Sequence, residues 1–191
     1  MDAPLAIPIM VNLWAGPGTG KSTTAAVVFH ILKLANVRCE LVTEFAKELT
    51  YLGRREELAD QLWVSAAQEH RCRILVGKVD VIITDSPTGL GRAYVKKGGY
   101  KERDLVTEMA RFSRKFYTNL DFLLMRDPQR SLQAYGRKER TMDEAQEKDT
   151  LVRMTMLHTC GEGPLATVEA NPNAGKVVTQ AVMAKLTELG R

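Results

Sequence analysis

Eight consecutive residues near the start of the chain have the types and spacing needed to hold phosphate groups. They read Ala-Gly-Pro-Gly-Thr-Gly-Lys-Ser and span residues 15–22, which we call the phosphate loop. In such a glycine-rich turn the backbone N–H groups point inward, and the helix that follows adds the partial positive charge of its amino end. Lys21 can reach the outer phosphates, and the hydroxyl of Ser22 can bind Mg²⁺. The loop therefore predicts binding of a nucleoside triphosphate, expected to be ATP, together with Mg²⁺.

The strict form of this motif has glycine at its first position, where this chain has Ala15. The alternative is a glycine-rich turn that joins a strand to a helix and binds nothing. The Gly-Lys-Ser sequence at the correct spacing and the flanking elements favour the nucleotide site. The residues expected to contact the nucleotide are Gly16, Pro17, Gly18, Thr19, Gly20, Lys21, Ser22 and Thr23.

Two carboxylates follow apolar segments and are candidates for the chemical step. Asp85 ends the segment Val-Asp-Val-Ile-Ile-Thr, where it could hold Mg²⁺ beside the phosphate loop or cap the next helix. Glu44 follows the second apolar segment, on the side where an acceptor would lie. A hydroxyl acceptor must lose a proton as it attacks, whereas a phosphate acceptor need not, so a carboxylate there suggests a hydroxyl acceptor. Alternatively, Glu44 is a first-turn acid that favours its helix.

The residues around Asp85 also bear on the class of enzyme. Motor and AAA-type ATPases usually have Glu directly after this Asp, to activate water, but here Ser86 and Pro87 follow. GTPases would have an Asn-Lys-x-Asp guanine signature, which the sequence lacks. Both observations favour a small kinase over an AAA-type ATPase or a GTPase.

A basic segment at about residues 126–141 predicts a lid over the active site. Arginines that arrive when such a lid closes can stabilise the charge on a transferring phosphoryl group. Arg137, which follows a glycine, is the first candidate for this role; a solvated charged loop is the alternative. Weaker candidates for contacts with the acceptor or in the lid are Lys96, Lys97, Arg126, Arg130 and Arg140.

The surrounding elements must position these residues. Apolar runs bounded by turns predict strands at residues 7–14, 38–42, 79–84, 121–125 and 165–170. Helical spacing of apolar residues predicts helices at about 21–34, 56–78, 102–117, 142–158 and 175–189. Alternation of strands and helices predicts an α/β fold: a doubly wound, mostly parallel five-stranded sheet in one domain covering residues 1–191.

Composition excludes several other classes. The chain has 191 residues, 45% of them hydrophobic, with a net charge of +4, which argues against a disordered polymer. No apolar run is long enough to cross a membrane, and the start lacks an export pattern. Three cysteines without metal-ligand spacing indicate reduced thiols, as in cytoplasm. Oligomeric state stays open.

Four segments together resemble a known family. They are GPGTGKSTTAA, LVTEFAKEL, VIITDSPTGL and YGRKERTMDEAQEKD. They look like the small phage-encoded phosphate-loop kinases (P-loop NTPases) grouped near thymidylate kinase, which include the 5-hydroxymethyluracil DNA kinases. The resemblance implies that Lys21, Ser22 and Asp85 hold ATP and Mg²⁺ and that Glu44 faces the acceptor.

The acceptor itself stays open between classes. It could be a hydroxymethylated base in DNA, which must be unstacked to react, or a free nucleoside or nucleoside monophosphate. A nucleotide-dependent binding or switch protein is a third possibility. Residues 92–140 contain 13 basic and 6 acidic side chains, a net of +7, whereas the rest of the chain carries −3. This segregated charge favours DNA.

Overall fold

Five parallel strands form the centre of the molecule. The computed structural model describes residues 6–127 and 141–191. The strands are β1 (Ile9–Trp14), β2 (Cys39–Val42), β3 (Val81–Thr84), β4 (Thr118–Met125) and β5 (Ala166–Glu169). They lie in the order β2-β3-β1-β4-β5, and every pairing is parallel. The predicted doubly wound, five-stranded α/β sheet is therefore confirmed.

Helices connect the strands and cover both faces of the sheet. The elements are α1 (Lys21–Leu34), α2 (Phe45–Tyr51), α3 (Arg55–Ala59), α4 (Gln61–Arg73), a 3-10 helix (Thr88–Tyr94), α5 (Tyr100–Arg114), α6 (Met142–Cys160) and α7 (Ala174–Glu188).

The alternation of side chains along β1 explains the two-sided core. Ile9, Val11 and Leu13 point to one face and pack with residues of α1 and α7. Met10 and Trp14 point to the other face, toward α4 and α6. Because both faces are covered by helices, β1 is apolar along nearly its whole length, as expected for a central parallel strand.

This topology brings the candidate site residues to one edge of the sheet. The carboxyl ends of parallel strands share an edge, and ligands of such sheets bind there, where the strand order reverses. β1 ends in the phosphate loop, β3 beside it ends at Asp85, and β2 beyond that is followed by Glu44. Arg126 follows β4 on the other side of β1.

The prediction of one continuous helix at residues 56–78 is wrong. The segment contains two helices, α3 and α4, separated at Asp60. The Asp60 carboxylate accepts a 2.9 Å hydrogen bond from the backbone N–H of Trp63, and it thus caps the start of a new helix. Apolar spacing continues across this break, which is why periodicity alone missed it. Another difference is that β4 begins at Thr118, three residues earlier than predicted.

Across the residues that the structure describes, none of the helices combines the length and apolar character needed to cross a membrane.

Candidate active site

Positive φ angles at two glycines form the turn of the phosphate loop. Gly18 has φ 74° and Gly20 has φ 110°, in the left-handed region that favours glycine. Gly20 lies directly before α1, so the chain turns from β1 into the helix within six residues. The amino end of a helix of 14 residues therefore opens at this edge of the sheet.

Lys21 lies across the loop. Its side chain is buried, and Nζ donates hydrogen bonds of 2.8 Å to the carbonyl oxygen of Ala15 and 2.9 Å to that of Gly16. The hydroxyl of Thr19 donates a further 3.1 Å bond to the Gly16 carbonyl. These bonds satisfy carbonyl groups on the loop and hold the ammonium against it, in the place where the motif predicts a phosphate-binding lysine.

Ser22 and Asp85 meet beside the loop, although 63 residues separate them. The Ser22 hydroxyl donates a 2.5 Å hydrogen bond to Oδ2 of Asp85. Asp85 is only 2% exposed, and its second oxygen, Oδ1, is buried without a hydrogen-bond partner. A buried, unsatisfied carboxylate oxygen is costly unless a cation or another donor satisfies it.

These residues fit Mg²⁺. A hydroxyl and a carboxylate oxygen are ligands that Mg²⁺ takes, and it usually fills its other positions with water and substrate phosphates. Among the described residues, no group of three or more His, Cys, Asp or Glu side chains could hold a metal by itself. The Ser22 and Asp85 oxygens are therefore suited to a metal that arrives with a nucleotide.

Glu44 lies between β2 and α2, and it is the residue directly before the helix. Its side chain makes no capping hydrogen bond to α2, and the carboxylate is partly buried. An acid favoured by the helix dipole needs no such bond, so this alternative for Glu44 stays open, although the acid within the first turn is Glu48.

Gln68 of α4 fixes the backbone on both sides of Glu44. Its Oε1 accepts a 2.8 Å hydrogen bond from the Phe45 N–H, and its Nε2 donates a 3.4 Å bond to the Thr43 carbonyl. The same nitrogen donates to the hydroxyl of Thr84, directly before Asp85, at 3.3 Å. One buried glutamine thus bonds to residues adjacent to both candidate carboxylates, Glu44 and Asp85. Spacing along α4 gave no sign of this role.

Arg126 lies against the phosphate loop. Its Nη2 donates a 2.6 Å hydrogen bond to the carbonyl of Pro17, and the guanidinium pairs with Asp149 of α6. From the sequence, Arg126 was predicted to contact the acceptor or to lie in the lid, and no role was predicted for Asp149. No local signal could have found this carboxylate, because its partners follow β4 and lie in the loop after β1.

The other basic candidates fall into two groups. Lys96 and Lys97 are exposed, in the turn between the 3-10 helix and α5. Arg130, Arg137 and Arg140, with most of the predicted lid, lie outside the described residues, so their roles stay predictions.

A partly buried ion pair supports β1 and β4 behind the loop. Arg114 pairs with Asp121, which also accepts a 2.8 Å hydrogen bond from the indole N–H of Trp14, directly before the loop.

Burial, together with Asp121, raises the pKa of the nearby Cys160 thiol to about 12. The three cysteines are free thiols, as expected, and a thiol with so high a pKa is a poor nucleophile at neutral pH.

A family model covers the phosphate loop, Asp85 and Asp149 in one match. The model for the "ATPase family associated with various cellular activities (AAA)" matches residues 11–150. The chain belongs to the AAA family. Among curated protein sequences, none matches it.

Membership of the AAA family corrects one expectation. The absence of Glu after Asp85 argued against an AAA-type ATPase, and at the level of family that argument is wrong. The match does not depend on the residue after Asp85, because it extends from β1 into α6. Directly after Asp85 this AAA protein has Ser86 and Pro87, whereas hydrolytic members usually have Glu at the first of these two positions.

A solved structure shares the fold of this AAA protein at low sequence identity. APS kinase of Mycobacterium tuberculosis superposes with a TM-score of 0.51 and 13% identity, covering 95% of this chain and 99% of that one. A protein named APE1195 gives a TM-score of 0.48 and 15% identity, covering 97% and 98%. At such identity the first likeness shows the fold alone, which is that of the P-loop NTPases.

Proposed function

We propose that this AAA family member is a kinase that transfers the γ-phosphoryl group of ATP to a hydroxyl group. The acceptor in this proposal is the 5-hydroxymethyl group of 5-hydroxymethyldeoxyuridine in DNA. This is the reaction of the phage DNA kinases that the sequence resembles, and it would take place in the cytoplasm of the infected cell. Residues 1–191 act as one catalytic unit.

The observation that carries the proposal is the position of the acidic side chains. No glutamate follows Asp85 to activate water, whereas Glu44 stands at the end of β2, two strands from the phosphate loop. Gln68 holds the backbone on either side of Glu44 and also contacts Thr84. A carboxylate on a backbone held in this way, away from the nucleotide loop, suits a base for an acceptor hydroxyl better than one for water beside Asp85.

Glu44, Lys21 and the phosphate loop have separate roles in the proposed step. The acceptor oxygen attacks the γ-phosphorus, the bond from that phosphorus to the β–γ bridging oxygen breaks, and ADP leaves. The hydroxyl proton passes to the Glu44 carboxylate. Lys21 stabilises charge on the transferring group, and backbone N–H groups of the phosphate loop orient the phosphates. The products are ADP and a phosphate monoester on the acceptor.

Ser22 and Asp85 are the residues that would hold Mg²⁺. The ion, when bound, neutralises charge on the β- and γ-phosphate oxygens. Asp85 supplies the buried oxygen that lacks a hydrogen-bond partner, and Ser22 supplies the hydroxyl beside it.

Basic residues at the start of α5 support DNA as the acceptor. Three arginines that contribute to the excess of positive charge are neutralised by carboxylates: Arg111, Arg114 and Arg126. By contrast, Lys96, Lys97 and Lys101 are exposed, and they lie close in the sequence to Tyr100, which is 71% exposed. Because the 3-10 helix begins after Asp85 and α5 runs back toward the start of β4, this turn lies on the carboxyl side of the sheet. Lysines beside an exposed aromatic ring suit a nucleic-acid backbone and an unstacked base.

The deciding experiment compares acceptors directly. The protein is incubated with ATP labelled in the γ-phosphate and with duplex DNA containing 5-hydroxymethyldeoxyuridine, the same duplex with thymidine, or free deoxynucleosides and their monophosphates. We expect label only in the hydroxymethylated duplex. Label in the free nucleosides or nucleotides alone would replace the DNA proposal by a small-molecule kinase.

A matched pair of variants tests the DNA surface. Lys96→Gln/Lys97→Gln removes two charges on the carboxyl side of the sheet. Lys78→Gln/Lys115→Gln removes two exposed charges before β3 and β4, on the opposite edge. By filter binding, the first pair should lower the magnitude of the negative slope of log affinity against log salt by about 2, since each phosphate contact contributes about 0.9. The second pair should leave the slope unchanged, and equal slopes for both pairs would remove this surface from the proposal.

The family match favours a second candidate, an ATPase that couples hydrolysis to a conformational change. The same assay separates it from the kinase. Release of labelled inorganic phosphate, at a rate that no acceptor alters and with no labelled acceptor formed, would favour the ATPase.

A further inference from the structure

An ion pair formed by residues outside the phosphate loop lies against two consecutive residues of that loop, Gly16 and Pro17. Arg126, directly after β4, binds Asp149 of α6 through two hydrogen bonds, Nε to Oδ2 at 2.7 Å and Nη2 to Oδ1 at 2.9 Å. The arginine side chain is 9% exposed and that of Asp149 is 29% exposed. A two-point pair of this kind fixes both distance and orientation.

The arginine half of the pair holds the Pro17 carbonyl. Nη2 of Arg126 donates a 2.6 Å hydrogen bond to this oxygen as well as to Asp149. Proline has no N–H, so the carbonyl is the only backbone polar group that Pro17 brings to the loop. A carbonyl that turned toward the phosphates would repel them, because both carry negative charge. A guanidinium that binds this oxygen fixes its direction.

The aspartate half occupies the space beside Gly16. A Cβ atom at Gly16 would lie 2.0 Å from Oδ1 of Asp149 and 3.1 Å from the Asp149 backbone nitrogen. The first of these distances is far inside van der Waals contact, so only glycine at this position leaves room for the carboxylate. The requirement for glycine here therefore arises from α6 as well as from the phosphates.

The charge balance of the pair distinguishes it from a phosphate-binding arrangement. A carboxylate this close to a triphosphate site would weaken nucleotide binding by repulsion if it were not neutralised. Arg126 neutralises it, and the carboxylate in turn keeps the guanidinium at the Pro17 carbonyl. The pair therefore adds almost no net charge at the loop, and its effect must come from geometry.

We propose that Arg126 and Asp149 are positioning residues that hold Gly16 and Pro17 of the phosphate loop in the shape that binds a nucleotide. Affinity for Mg·ATP then depends on an ion pair supplied by β4 and α6. The inference rests on nucleotide binding by the loop, which the proposed function shares, and it is independent of the acceptor.

Calorimetric titration with Mg·ATP tests it on the full chain. Asp149→Asn keeps the shape of the side chain and removes its charge, and Arg126→Gln removes the guanidinium. Each should raise the Kd about tenfold, and the double variant should be no weaker than the weaker single variant, because the residues act as a unit. Arg126→Lys, which keeps the charge and loses the forked geometry, should fall between wild type and Arg126→Gln.

Glu147→Gln is the matched control, since Glu147 is an exposed acid on the same helix. Its Kd should stay within about twofold of wild type. A positioning role at the loop also predicts a split: the KM for ATP rises while kcat at saturating ATP and the KM for the acceptor hold. Urea unfolding of each variant accompanies the titrations, so that binding loss can be compared with any change in stability.

Several results would overturn the inference. They are a Kd for Asp149→Asn equal to that of Glu147→Gln, additive losses in the double variant, or a fall in kcat without a rise in the KM for ATP. Failure of the proposed function looks different: wild type would bind Mg·ATP, and the variants would lose affinity, but no acceptor would be labelled.

Discussion

The Ser22 hydroxyl donates a 2.5 Å hydrogen bond to Oδ2 of Asp85, which joins the first turn of α1 to the end of β3 beside the phosphate loop. The other oxygen of Asp85 is buried and has no hydrogen-bond partner. This one-sided satisfaction of a carboxylate is what a metal site at the loop would produce.

Asp85→Asn should remove most of the effect of Mg²⁺ on nucleotide affinity. An amide oxygen is a much weaker ligand for Mg²⁺ than a carboxylate, so the ratio of ATP affinities with and without Mg²⁺ should fall about tenfold. Titrations in Mg²⁺ and in EDTA measure this ratio. Asp80→Asn, at the other end of β3, is the control and should keep the wild-type ratio. An unchanged ratio in Asp85→Asn would exclude Asp85 from the metal site.

Lys21→Ala should abolish phosphoryl transfer. Lys21 is the cation held against the loop, and loss of charge stabilisation at a transferring phosphoryl group typically costs about 1000-fold or more in rate. Transfer from labelled ATP measures the loss. Lys33→Ala, which removes an exposed lysine from the same helix, should retain wild-type rate. A Lys21→Ala enzyme with substantial turnover would contradict the assignment.

Glu44→Gln should lower turnover more than it lowers ATP binding. A missing general base costs about 100-fold or more, while Kd for ATP should stay within about threefold. Glu48→Gln, one turn further along α2, should preserve both the rate and the Kd. Unchanged turnover in Glu44→Gln means that another group accepts the proton.

Stability should decline at alkaline pH through Cys72. Burial raises the pKa of this thiol, with Glu69 adding to the effect and Arg73 opposing it. The unfolded thiol ionises near its ordinary pKa of about 8.5, so above that pH the folded state holds a proton that the unfolded state has lost. This contribution to stability is complete below the unfolded pKa and is lost as pH rises, by up to about 1.4 kcal/mol per pH unit.

Urea unfolding between about pH 9.5 and 10.5 measures that slope. Cys72→Ala should make it shallower by about 1 kcal/mol per pH unit. Val64→Ala, a buried truncation on the same helix, should lower the free energy of unfolding at every pH and leave the slope alone. Parallel slopes for Cys72→Ala and wild type would exclude Cys72 as the source.

Local sequence patterns were sufficient for the sheet and the phosphate loop. The central strands β1 and β3 are buried along their whole length and therefore appear as nearly continuous apolar runs. The edge strands β2 and β5 are only partly buried, and turn residues on either side marked their positions. The break at Asp60 was missed because a capping hydrogen bond does not disturb apolar spacing. The roles of Gln68 and Asp149 were missed for a different reason. Their importance comes from contacts with distant segments, Thr43 to Phe45 for Gln68 and Gly16 for Asp149, and a side-chain type alone does not reveal which backbone it will meet.

The two tryptophans lie in different parts of the site and differ in solvent exposure, so their fluorescence should differ. Trp14 is 1% exposed and lies directly before the phosphate loop, whereas Trp63 is 39% exposed and stacks edge-on against Phe45, beside Glu44. Trp14 should therefore emit at short wavelength and resist quenching by acrylamide, and Trp63 should emit further to the red and be quenched readily. With Trp63→Phe and Trp14→Phe, intrinsic fluorescence can follow the phosphate loop and the surroundings of Glu44 separately in the same unlabelled protein.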